Sequence, residues 1–185
     1  MKKITLVLCL FTVSGIFAQT DGTTSAADPA TSLPRGYRTL TLGMGIEELK
    51  EALRRDRETY LFREDRDVYH IPLRNENYVE TTGRGFIKRG FFQLNETGLF
   101  VISLELNPDR MDYYSVFTAF RDRYGEPESI DPQKAMWESE TVRVSIERPL
   151  TVKYIDRAVF DAILAEAQAG ISAEKVLREN FLNDF

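Results

Sequence analysis

Cysteine and histidine each occur once in 185 residues. Cys9 lies inside an apolar start, Ile4 to Phe17. If that start is removed, the mature chain has no disulfide, no Cys-ligated zinc and no thiol nucleophile. Lipidation at Cys9 is disfavoured. Leu6-Val7-Leu8 precede it where a small residue is wanted, and cleavage there would leave only 1–8 as a signal. His70, beside Tyr69 and Ile71, would have to serve any Ser–His–Asp triad or zinc site, and reads instead as a packed or surface residue. A phosphate-binding glycine loop is missing, because Gly83-x-Gly85 has neither a third glycine nor a helix after it. Basic excess is missing too. The net charge is −5, which argues against nucleic-acid and anionic-lipid binding. No apolar run approaches the roughly 20 residues of a spanning helix.

What is present begins with Met1-Lys2-Lys3, the apolar run and Ala18, the pattern of a secretory signal peptide over 1–18. Cleavage after Ala18 sends the chain to the periplasm or cell envelope. It also removes two lysines, leaving a more acidic protein. Residues 19–36 are rich in Thr, Ser, Ala, Asp, Gly and Pro and read as a flexible leader.

Residues 37–156 carry the patterns of a folded domain. Ile46, Leu49 and Leu53 share one helical face, with Glu47 and Glu48 in the first turn. Residues 54–67 are densely charged and give no clear element. Residues 67–73 suggest a strand and 80–85 a turn. Phe86 to Leu94 and Leu99 to Leu106 form a hairpin about Asn95–Gly98, with Phe100, Ile102, Leu104 and Leu106 on one face. Asn107-Pro108-Asp109 supplies a cap and a proline at the start of a helix. Tyr113, Val116, Phe117, Phe120 and Tyr124 form its apolar stripe, and Gly125 stops it in the left-handed region. Strands follow around Trp137, over 141–147 and over 150–155. Val142, Val144 and Ile146 point inward. In 157–185, Asp156 caps a long helix that Gly170 breaks, and Ser172 caps a last short one. These helices pack on the domain or on a partner. The expected fold is α+β: an antiparallel sheet with helices on one face, built from two related helix–strand–strand units.

Leu42-Gly43-Met44-Gly45-Ile46-Glu47-Glu48-Leu49, and Phe120 to Pro127 followed by Trp137, resemble small exported helix–strand–strand modules. These are the BamE-like outer-membrane assembly proteins and the β-lactamase-inhibitor-protein-like fold. Residues 37–156 also resemble exported proteins of spirochaete-type bacteria. The resemblance implies a protein-binding module without catalysis, and no ligand residue carries over.

The leading expectation is therefore a non-enzymatic protein-binding or assembly module of the periplasm or cell envelope, with a protein partner, no nucleic acid, no cofactor and no metal. Two candidate interfaces stand out. Arg84, Phe86, Lys88, Arg89 and Phe91 concentrate cations and aromatics in an acidic chain. Val176, Leu177, Phe181, Leu182 and Phe185 put apolar groups on the last helix. The alternative is a small-ligand binder with an aromatic-lined pocket. A third reading is a carboxylate hydrolase, which needs two acids about 5–9 Å apart in a cleft; Glu80, Glu138 and Glu140 are undistinguished candidates.

Overall fold

Period-two alternation over 87–106 and 134–156 makes strands with one apolar side, and such strands are stable only when something covers that side. The computed structural model describes residues 32–72 and 76–183. Its elements, in chain order, are β1 (Gly36–Tyr37), β2 (Leu40–Thr41), α1 (Ile46–Arg55), α2 (Glu64–Asp67), β3 (Val68–Ile71), β4 (Glu76–Thr82), β5 (Ile87–Asn95), β6 (Gly98–Leu106), α3 (Tyr113–Tyr124), β7 (Ser129–Ile130), β8 (Lys134–Glu138), β9 (Val142–Glu147), β10 (Thr151–Asp156) and α4 (Arg157–Asn183). The fold is α+β. One small sheet pairs β1 with β2. The main sheet has eight antiparallel strands in the order β3-β4-β5-β6-β10-β9-β8-β7.

That order sets two four-strand meanders back to back. α1 and α2 precede the first meander and α3 precedes the second, so each half is a helical segment followed by four strands. β6 and β10 meet at the centre, with Ile102 opposite Tyr154. Two cross-strand rows form the core floor. One runs Val79–Phe92–Ile102–Tyr154–Val144–Trp137, the other Thr81–Gly90–Leu104–Val152–Ile146–Ala135. Leu49 and Leu53 of α1 and Val116 of α3 join these residues in one buried cluster. Trp137 locks α3 down. Its ring centroid lies 6.0 Å from Phe117 and 5.6 Å from Phe120, and its indole N–H donates to Gly125 O at 2.8 Å.

The Leu42–Gly45 segment is held by the hairpin. Gly43 N–H donates to Leu99 O at 2.7 Å, and Leu99 N–H donates to Met44 O at 2.8 Å. Gly98, at φ 112°, faces this segment so closely that a Cβ would lie 2.6 Å from Gly43 O. Glu48 accepts from Gly45 N–H at 3.0 Å and so begins α1.

Several sequence expectations are corrected. Residues 80–82 are not a turn: they end β4, whose polar side chains hide its alternation; Gly83 bridges to Tyr60, and the chain turns at 85–86. α3 does not start at Pro108. Asn107 closes a separate turn, its carbonyl accepting from Arg110 and Met111 N–H, both at 3.1 Å. Asp112 is the N-cap instead, accepting from Ser115 N–H at 2.9 Å. Gly125 has φ 83° and ψ −172°, a positive φ but not the left-handed helical region. Gly170 does not break α4, which runs unbroken to Asn183. A helical glycine costs only about 1 kcal/mol against alanine, and Ala162, Ala165, Ala167 and Ala169 surround it. Ser172 caps nothing; its hydroxyl donates to Gln168 O at 2.9 Å. The ordered chain also begins before Tyr37, since Leu33 packs on the core and Arg35 pairs with Asp156 at 2.7 Å. The signal-like segment, Cys9 and most of the leader lie outside the described residues, as does Phe185.

Candidate interaction surface

α1 and α3 share one side of the sheet; among the described residues, no helix lies along the opposite side beyond the first turns of α4, although Val101, Ser103 and Ser145 at its centre are buried. Strand register aligns the side chains of this opposite side in three rows. The first runs Tyr69–Tyr78–Gln93–Val101–Ile155–Arg143–Glu138. The second runs Glu80–Phe91–Ser103–Lys153–Ser145–Met136–Ser129. The third runs Thr82–Arg89–Glu105–Thr151–Glu147–Lys134. Small Ser103 and Ser145 are buried beneath longer neighbours, which leaves a hollow along the sheet. A groove of about 450 Å³ lies there, lined by Phe91, Val101, Met136, Ile155 and Phe160 with Arg143 and Lys153 among them.

Charges on this face are paired across strands. Arg143 meets Glu138 at 2.9 Å, and Arg157 reaches the same carboxylate at 2.8 Å. Lys153 pairs with Glu147, which also accepts from the Ser145 hydroxyl at 3.1 Å. Arg89 pairs with Glu80 at 2.9 Å and lies 5.6 Å from the Phe91 ring centroid. Lys88 pairs with Glu105 at 2.6 Å. Arg89–Glu80 and Lys153–Glu147, each about one-third exposed or more, contribute about 0–1 kcal/mol each, whereas Arg143–Glu138 is mostly buried. The more exposed pairs can exchange partners with an incoming charged group. The Arg143 Nε–H is buried and has no hydrogen-bond partner among the described residues.

α4 borders the groove at its first turns only. Asp156 accepts from Val159 N–H at 3.3 Å, and Arg157 donates to Ser139 O at 3.0 Å. The Arg143 guanidinium sits 6.0 Å from the Phe160 ring centroid. Past Ile163 the helix is exposed, with Leu164 at 44%, Ile171 at 68%, Leu177 at 69% and Leu182 at 58%.

The sequence candidates separate in space. Lys88, Arg89 and Phe91 stand together on the open side. Phe86 is exposed at the β4–β5 turn. Arg84 is elsewhere, beside Leu53, Tyr60 and Phe62 near the end of α1. Val176, Leu177, Phe181 and Leu182 are exposed on distal α4, and Phe185 lies outside the described residues. Sequence reading missed Met136, Arg143, Glu147 and Lys153. Their outward alternation was legible, but their alignment with Phe91 depends on the β6–β10 pairing. Glu80 pairs with Arg89, and Glu138 is held by two arginines.

Off this face, a hollow of about 650 Å³ beside α1 is lined by side chains of both signs, including Arg38, Glu48, Glu51, Arg55 and Asp56. The aromatic groups of the core pack against one another. Burial pushes the Tyr60 and Tyr154 hydroxyls far above the ordinary tyrosine range, which keeps both neutral. Among the described residues, no helix is long and apolar enough to cross a membrane.

The TP0088 domain matches residues 35–166. The chain belongs to this spirochaete-type family. The matched span takes in both meanders and stops within α4, so the distal half of that helix lies beyond it. No curated protein and no solved structure matches the chain.

Proposed function

We propose that this chain is a non-enzymatic protein-binding or assembly module, exported to the periplasm or cell envelope. Its binding surfaces are the open sheet face and the distal part of α4. The observation that carries the reading is the groove along the outer side of the eight-stranded sheet and the first turns of α4, where Phe91, Met136, Ile155 and Phe160 sit among ion pairs. Apolar and aromatic anchors within a polar rim are the composition of a protein interface. Export rests on the apolar start at 4–17 and the small residue at 18.

Photo-crosslinking residues placed at Phe91 and Met136, in cells producing the full chain, test this reading. A defined protein adduct at both positions, absent from the helix-side position Glu51, supports it. Adducts at none of the three, with the chain folded and exported, would overturn it. A second reading draws on the groove itself. Its volume and the cationic side chains Arg143 and Lys153 in its apolar lining suit a small anionic ligand carrying an apolar group. Thermal-shift screening with aromatic carboxylates would favour it if stabilisation vanished in Arg143→Met.

A further inference from the structure

α4 is a 27-residue helix, about 40 Å long at 1.5 Å per residue. Only its start is anchored. An isolated helix is marginal in water, and its stability in proteins comes from packing an apolar side. At 100° per residue, Ile163, Ala167, Ile171, Leu177 and Leu182 fall on one side of α4. Val176 points away from that side. Glu174 and Arg178 sit in the middle of it. They are one turn apart yet make no ion pair with each other, whereas the adjacent Lys175 and Glu179 lie 4.0 Å apart.

We propose that the distal half of α4 pairs antiparallel with the same segment of a second copy. The twofold axis would pass between Glu174 and Arg178. Residues whose numbers are symmetric about 176 then face one another: Glu174 meets Arg178 of the second copy, and Arg178 meets its Glu174. Ile171 meets Phe181. The pattern is self-complementary, as a twofold interface requires. A parallel arrangement would put Glu174 against Glu174 and Arg178 against Arg178, which like-charge repulsion disfavours. The inference rests on reading distal α4 as an interaction surface and adds the identity of its partner; it does not depend on the open sheet face.

The test is sedimentation of the full chain with its signal-like segment 1–18 removed, over a concentration series to about 100 µM, a range that reports micromolar self-association. Wild type is expected to reach twice the chain mass. Glu174→Arg and Arg178→Glu singly are expected to weaken dimerisation at least tenfold, and the double reversal to restore it. Ile171→Asp is expected to abolish it. Circular dichroism of each variant shows that the sheet domain remains folded. A monomeric wild type overturns the proposal, as do single reversals that leave the dimer intact or a double reversal as weak as either single. A monomer that still forms open-face adducts through Phe91 and Met136 would sink this inference alone. A dimer without such adducts would sink the open-face reading alone.

Discussion

The two sides of the main sheet are built by the same strands and behave as different materials. On the helix side, Phe92 is 1% exposed and Ile102 and Val144 are fully buried. On the other, the preceding residues Phe91 and Arg143 are half-buried and stand among ion pairs, over a buried Val101. The helix side stabilises the fold by removing apolar area from water, at about 25 cal/mol per Å². The open side contributes less stability. The residues that stabilise the fold and those proposed for recognition thus share a backbone but scarcely share a side chain.

Neighbouring residues give the sharpest test of that division. Phe92→Ala is expected to cost about 3–5 kcal/mol, and Phe91→Ala about 1 kcal/mol or less, by urea denaturation. Equal losses would erase the distinction. Gly98→Ala should come next, at about 2 kcal/mol. Its Cβ would lie 2.6 Å from Gly43 O in a backbone with φ 112°, so the hairpin and the Leu42–Gly45 segment must separate. Hydrogen exchange at Leu99 N–H would report that loosening. On the open side, Glu147→Gln is expected to change stability by no more than about 1 kcal/mol, since Lys153 and Glu147 remain about one-third exposed. A larger loss would make that face structural.

The smallest effect is acidic. The Ser115 hydroxyl, followed by the Ser115 backbone N–H, holds the Asp112 carboxyl below its usual range. A lowered folded pKa means the cap stabilises α3 at neutral pH, and that contribution is lost as pH falls through the carboxylate range. Asp112→Asn should flatten the acid slope of stability. An unchanged slope would remove the cap from the acid response.

The unequal legibility of the two sides has a physical cause. Apolar alternation announces β5, β6, β9 and β10 because burial demands it. The helix stripe Tyr113, Val116, Phe117 and Phe120 is equally plain. β4 was obscured because its buried side contains Thr81 and its open side Glu80 and Tyr78, so the apolar signal is thin. The start of α3 was misplaced because Asn107-Pro108 carries a cap-like pattern that closes an isolated turn. Gly170 looked like a stop because local propensity was weighed without the alanines around it. Of the candidate interface, Phe91 and Arg89 could be named from composition alone. Arg143 and Lys153 could not, since nothing local brings 143 and 153 beside 91.

Local pattern by itself therefore determined α1, α3, β5, β6, β9 and β10, which side of each is apolar, and that the whole is α+β. Those properties follow from periodicity, and periodicity is written in neighbouring residues. Only the tertiary structure decided that β6 pairs with β10, that both meanders turn the same side to α1 and α3, and that α4 leaves the sheet after its first turns. Those choices depend on contacts between residues far apart in the chain, where the net burial of many side chains, rather than any one local preference, selects the arrangement.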